Sequence, residues 1–269
     1  MTLPSSTSII WNAADYAANS AVQHDWAREL IATLDLRGDE HLLDVGCGDG
    51  KITAEIARAL PRGSVVGTDV SPEMIAFARK KFPAREIPNL EFQVEDARRI
   101  SFAKKFDLIF SNAALHWVDE HKQFLRGAAA ALKTGGRLIV SCGGQGNAHD
   151  VFRALRPEMR QPHWRKFFRQ MPVPYFFYAP ADYEKWLPES GFQVRTLRLV
   201  PKDATYDGAD GFAAWLRTTW IPYVQRVPEP LREEFIAAVI RRYLAQHPPD
   251  AAGKIPVRMV WLELEAVKI

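Results

Sequence analysis

The chain has 269 residues, 47% of them hydrophobic and 25% charged, with a formal net charge of +3 and a sequence pI near 8.8. A chain this long can bury a full core, and so small a net charge does not by itself imply nucleic acid as a partner, while the basic pI leaves room for anionic ligands. No apolar run of about eighteen residues and no charged-then-apolar leader is present, so membrane insertion and export are not expected and the cytoplasm is the expected compartment.

Near the N-terminus, Tyr16, Ser20 and Gln23 share one helical face at intervals of four and three, ahead of Trp26 and Leu30. That pattern suits a polar gate, and equally an ordinary amphipathic helix. The run Leu42-Leu43-Asp44-Val45 then breaks into Gly46-Cys47-Gly48-Asp49-Gly50, where glycines let a chain turn sharply at a strand end and approach a ligand closely. A dinucleotide cradle needs its third glycine where Lys51 stands, so that fingerprint is excluded. A helix over Lys51–Leu60 is expected to bury Ile52, Ile56 and Leu60. Val65–Asp69 follows as a second strand, with Asp69 at its tip, where a carboxylate can accept both hydroxyls of a ribose.

Ser71-Pro72-Glu73 reads as a helix N-cap followed by proline in the first turn. Further strands are expected near 90–94, 106–110 and 137–141, each apolar on successive residues as in a parallel sheet covered on both faces. A helix at Asp182–Glu189, a sixth strand from Gly191 to Val200 and a seventh from Pro256 to Glu265 complete the sheet. Between them lie a segment of about 147–179 rich in proline and aromatics, and one of about 204–253 with helical patterns at Gly211–Thr219 and Pro230–Gln246. The cysteines, Cys47 and Cys142, are too few for a disulfide framework and are expected to be free. No His/Cys cluster has zinc-ligand spacing and no nucleophilic triad is suggested.

Asp44 to Gly50 resembles motif I of the class I S-adenosylmethionine-dependent methyltransferases, in which the loop wraps an amino-acid tail rather than two phosphates. Three later segments resemble the same family in order: Val94-Glu95-Asp96-Ala97, Phe106 to Val118, and Leu132-Lys133-Thr134-Gly135-Gly136. The stretch Phe212 to Tyr223 and Arg232-Glu233-Glu234-Phe235 are similar to the trans-aconitate methyltransferase branch. The resemblance implies an α/β fold, a seven-stranded Rossmann-like sheet with helices on both faces and a mainly helical lid inserted in the C-terminal half. It divides the chain into an N-terminal gate (1–36), a cofactor-binding core (37–146), a lid insertion (147–179), core again (180–203), a helical lid (204–253) and the last strand (254–269).

S-adenosylmethionine, with S-adenosylhomocysteine as product, is the implied cofactor. Its implied contacts are Tyr16, Gln23, Asp44, Gly46, Cys47, Gly48, Asp69, Val70, Met74 and Asn112, with Asp96 and Ala97 at the adenine. Methyl transfer from a sulfonium asks the protein mainly to align the reactants and exclude water. His116 is the candidate general base, or else a hydrogen-bonding residue of the pocket floor, and Trp117 the candidate pocket wall. Trp215, Arg217, Trp220 and Tyr223 are candidate acceptor contacts, Arg217 as a guanidinium able to grip a carboxylate.

The basic residues between Arg153 and Arg169 suit a solvated helix face better than an RNA surface. The expected function is methylation of a small carboxylate. Alternatives are O-, N- or C-methylation of a secondary metabolite or quinone-like ring, a non-catalytic cofactor-binding regulator, and nucleic-acid modification. Oligomeric state stays open.

Overall fold

The computed structural model describes residues 21–269, with side chains from Trp26 onward. Tyr16 and Ser20 lie outside the described residues. Gln23 lies on the first helix, but its side chain is outside them as well.

The elements run α1 (Ala21–Ala32), β1 (His41–Val45), α2 (Lys51–Ala59), β2 (Ser64–Asp69), α3 (Pro72–Lys81), β3 (Leu90–Val94), β4 (Phe106–Asn112), α4 (His121–Ala131) and β5 (Leu132–Gly143). Then come α5 (His149–Met159), α6 (Pro180–Glu189), β6 (Phe192–Asp207), α7 (Gly208–Thr219), the short α8 (Ile221–Val224), α9 (Arg232–Leu244) and β7 (Lys254–Lys268). The seven strands form one sheet in the order β3-β2-β1-β4-β5-β7-β6. Parallel pairing joins β1 to β2 and β4, β2 to β3 and β4 to β5, and β7 pairs antiparallel with β5. The seven-stranded Rossmann-like sheet expected from the sequence is the sheet observed.

Chain division separates two compact units. The sheet unit contains 20–147, 175–202 and 259–269. Successive residues of its central strands bury on opposite faces, as the two-residue period of a strand requires. Leu42, Leu108 and Phe110 join one core cluster with Ile56, Leu60 and Ile75 from α2, its C-cap and α3. Leu43 and Ile109 join the other with Phe124, Leu125 and Tyr183 from α4 and α6. Ile56 and Leu60 are fully buried as expected, whereas Ile52 is only partly buried and Thr53, Ala54 and Ala57 complete the inner face of α2. The Ser71 cap is also as expected: its hydroxyl accepts the Met74 N–H at 3.2 Å, with Pro72 opening the helix.

The second unit includes residues 148–174 and 203–258. Its interior is aromatic: Trp215 stacks on Tyr206 and Phe212, Trp220 meets Phe152 edge-on at 4.7 Å, and Trp164 meets Phe235 edge-on at 5.2 Å. Glu158 from α5 accepts the Trp164 indole N–H and pairs with Arg242 of α9 at 2.9 Å, which fixes those two helices to each other. Residues 175–202, which include the end of the proline- and aromatic-rich segment at about 147–179, fall in the sheet unit. Phe176 N–H donates to the His116 carbonyl and Gln145 N–H to the Tyr178 carbonyl. β6 and β7 are longer than expected and run on into the second unit. No helix among the described residues is long and apolar enough to cross a membrane.

Candidate functional site

The parallel strands β1, β2, β3 and β4 end together at one edge of the sheet, and the register brings their terminal residues side by side: Asp44 beside Gly67, Val45 beside Thr68, and Asp69 beside Val94. The glycine loop leaves β1 there. Gly46 has φ +80° and sits so near the second residue after β4 that an added Cβ would lie 2.1 Å from that of Ala114. Gly48 is also left-handed, at φ +54°, but a Cβ there would meet nothing within 4 Å. Packing of the chain itself therefore dictates the first glycine, while the second presents bare backbone to open space, as a ligand cradle does.

Asp69 holds this loop against the next one. Its two carboxylate oxygens accept Gly48 N–H at 3.1 Å and Ser71 N–H at 2.9 Å. Burial raises its pKa, against the pull of the Ser71, Gly48 and Val70 amides. Asp44 is 2% exposed and accepts the Thr53 hydroxyl at 2.7 Å. Burial pushes its carboxyl up to about 7, with Thr53 opposing and the charge of Asp69 adding to the shift. Cys47 is buried and free, as is Cys142, and burial raises the Cys47 thiol well above its usual range, so it acts as a small filler rather than a nucleophile.

Val70 and Val94, following and ending neighbouring strands, are 63% and 51% exposed. Apolar side chains left bare near the buried Asp44 and the half-buried Asp69 suit a flat ring. Asp96 caps a single 3-10 turn (Ala97–Arg99). It is clamped by Arg98, whose Nη2 lies 2.6 Å from Oδ2 and which also reaches Asp119 at 3.1 Å. The Arg98 side chain holds the Asp96 carboxyl below its usual range. Ala97 is half-buried against the core, and Met74 is 3% exposed. Asn112, the last residue of β4, buries its Oδ1 with no hydrogen-bond partner. A buried amide oxygen costs about 1–3 kcal/mol when left unpaired, so this atom marks a place where a donor is wanted.

Beyond β4, Ala113 adopts φ +56° and its N–H donates to the Ser141 carbonyl, turning the chain into the 3-10 turn Leu115–Trp117. His116 is half-buried in that turn, ringed by Trp117, Tyr175, Phe177 and Trp261 with ring centroids 5.6–6.5 Å away. Its Nδ1 accepts the Gly143 N–H at 3.2 Å. Burial, with a smaller effect of His121, lowers its pKa to about 3, so the ring is neutral near pH 7. His121 itself is structural: it is 1% exposed, with ring nitrogens 2.7 Å from the Leu115 carbonyl and 2.6 Å from the Tyr183 hydroxyl.

The expected acceptor contacts belong to the second unit. Trp215 and Trp220 are each 4% exposed and in edge contact at 5.7 Å, and Trp220 packs on Tyr223. Arg217 is exposed at the end of α7 and gives both arms of its guanidinium to Glu233, each at 2.7 Å. Its fork is thus engaged by a carboxylate of the chain itself. Sequence reasoning missed Tyr175, Phe177, Trp261, Gly143 and Arg98. The run Tyr175-Phe176-Phe177-Tyr178 carried a visible aromatic signal, whereas nothing in the sequence ties the Gly143 amide to a histidine twenty-seven residues earlier.

A family model described as a methyltransferase domain matches residues 42–136. The chain is 34% identical to an uncharacterized methyltransferase of Schizosaccharomyces pombe over 71% of this chain and 74% of the relative. It is 27% identical to the trans-aconitate 2-methyltransferase of Methylobacterium nodulans and 29% identical to that of Variovorax paradoxus, in each case over 91% of this chain and 93% of the relative. Among solved structures it is similar to phosphoethanolamine N-methyltransferase 2 of Haemonchus contortus, solved with S-adenosyl-L-methionine, at a TM-score of 0.59 and 15% identity, covering 95% of this chain and 56% of that one.

Proposed function

We propose that this chain, which belongs to the class I S-adenosylmethionine-dependent methyltransferases, methylates a carboxylate of a small-molecule acceptor to give a methyl ester. The observation that carries the acceptor class is the span of the similarity to trans-aconitate 2-methyltransferases, which runs through both units rather than stopping at the cofactor core.

The residues at the strand ends fit the cofactor. Gly48 offers open backbone, the Asn112 carbonyl oxygen wants a donor, Val70 and Val94 offer apolar surface, and Asp44 and Asp69 supply acceptors for cationic and hydroxyl groups. In this reading Asp69 takes the ribose, Asp96 and Ala97 the adenine, and Asp44 with residues 46–48 the amino-acid tail. Bound S-adenosylmethionine supplies an activated methyl group on a sulfonium. The chain's own part is to orient the acceptor and exclude water. The aromatic walls around His116 exclude water, and no base is needed, because a carboxylate is already ionised at neutral pH.

Esterification of a carboxylate has a distinctive proton balance. An O–C bond forms while a C–S bond breaks, the negative and positive charges cancel, and no proton is released. Methylation of a hydroxyl or an amine releases one. The protein incubated with methyl-labelled cofactor and a panel of small carboxylates, trans-aconitate first, is therefore expected to give a base-labile labelled ester without acidifying an indicator solution. A base-stable product, or one proton per methyl transferred, would overturn the carboxylate reading in favour of hydroxyl, amine or carbon acceptors.

A further inference from the structure

We infer that His116 recognises the acceptor as a hydrogen-bond donor: its Nε2–H holds one oxygen of the carboxylate and leaves the other to react. The inference rests on the carboxylate reading above and assigns the residue that makes it specific.

The direction of one hydrogen bond decides the matter. A backbone amide can only donate, so the Gly143 N–H at 3.2 Å must meet a lone pair on Nδ1. A neutral imidazole with its lone pair on Nδ1 carries its proton on Nε2. The ring is neutral because four aromatic neighbours desolvate it and, among the described residues, no carboxylate pairs with it. Nε2 is therefore a donor and has no lone pair with which to accept a proton from a hydroxyl or amine. Among the described residues no hydrogen-bond partner engages Nε2, and the residue keeps part of its surface exposed.

The turn holds this aim firmly. The His116 carbonyl accepts the Phe176 N–H at 2.9 Å, so the segment bearing Tyr175 and Phe177 is tied to the backbone that carries the imidazole. Tyr175 and Phe177 stack on each other with an interplanar angle of 4°, forming a flat wall beside it. At the end of β5, a Cβ on Gly143 would lie 2.8 Å from the Phe177 ring, so that position admits the ring only as glycine. A fixed donor among apolar walls complements a group that only accepts. It opposes an amine, whose nucleophilic lone pair it would bind, and gives no help to a hydroxyl that must lose a proton.

Two measurements test this. Nitrogen-15 NMR of the full-length protein at pH 7 is expected to show His116 Nδ1 as the unprotonated ring nitrogen and Nε2 as the protonated one. The opposite tautomer, or a doubly protonated ring, would overturn the inference whatever the acceptor is. With the carboxylate substrate identified by its ester product, His116→Gln, which keeps an N–H donor, should stay within about threefold of the parent in KM and kcat. His116→Phe, which keeps the ring volume but has no donor, should raise KM about ten- to a hundredfold. A His116→Phe variant that folds, binds cofactor and keeps the parental KM would refute the assigned role, as would a His116→Gln variant that loses kcat but not KM. Failure of the ester assay itself would instead strike the carboxylate reading, so the two failures are distinguishable.

Discussion

The two ends of the sheet differ in whether their polar groups are satisfied. At the end where β1 to β5 begin lies a recess of about 300 Å³ lined by Asp35, Arg37, Glu40, Asp107, Lys133 and Arg137 among others. Most of its charges are matched within the chain. Lys133 Nζ meets both oxygens of Asp107 at 2.8 and 2.9 Å, Arg137 reaches Glu265 and the Leu34 carbonyl, and Glu40 accepts the Arg37 and Gly38 amides. The end where the strands finish shows the reverse: an orphaned Asn112 oxygen, bare backbone at Gly48, exposed valines and a histidine nitrogen with spare capacity. Unmet bonding capacity is the ground for proposing the end where the strands finish as the ligand site, because a ligand gains free energy from groups the protein has not already satisfied.

Substitutions can break that comparison, and the largest effect is expected at Gly46. Gly46→Ala drives a Cβ to 2.1 Å from Ala114 at a left-handed φ, and should cost about 3 kcal/mol or more in chemical denaturation, with loss of cofactor binding. Asp69→Ala removes the carboxylate proposed to take the ribose, and with it the bridge between the Gly48 and Ser71 amides. Calorimetry should show cofactor affinity lower by about ten- to a hundredfold. An unchanged affinity would remove Asp69 from the site.

Gly48→Ala sharpens the contrast with Gly46. With nothing within 4 Å, only the backbone penalty of about 1–2 kcal/mol should appear in stability, while cofactor affinity falls by more than that penalty accounts for. Equal losses in both would mean that the open space is not a cradle.

Asp44 makes a smaller, pH-dependent prediction. Burial raises its folded-state pKa to about 7, so its contribution to stability is fully present below the unfolded carboxylate pKa of about 4 and is lost as pH rises through about 7. The protein without cofactor should therefore melt at lower temperature at pH 8 than at pH 6, roughly the window of that ionisation, and Asp44→Asn should flatten the trend. A cationic ligand favours the ionised form, so cofactor binding near pH 6 should release a proton, seen as a buffer-dependent heat that Asp44→Asn abolishes. The smallest effect belongs to the far end. Lys133→Ala, breaking a partly exposed pair, should change stability by no more than about 1 kcal/mol and leave turnover intact.

Sequence by itself determined the alternation of strands and helices, the Ser71 cap, the glycine loop and the acid at the tip of β2. Each is a local pattern, readable because strand periodicity, capping and left-handed turns involve residues near one another in the chain. The antiparallel side of the sheet was less legible: the edge strand β6 and its neighbour β7 extend past the expected limits, since pairing with a neighbour, rather than apolar content, sets where a strand stops.

Tertiary structure alone decided which candidates keep free bonding capacity. Arg217 has the right chemistry for gripping an acid, but α7 and α9 place Glu233 against it. His116 could have been a base or a donor, and an amide at the end of β5 makes it a donor. Asp96 acquired Arg98, and Tyr175, Phe177 and Trp261 gathered around the imidazole from distant segments. A residue's chemical type is written in the sequence, but the partner that consumes or fixes that chemistry comes from elsewhere in the fold, and only the packed chain brings the two together.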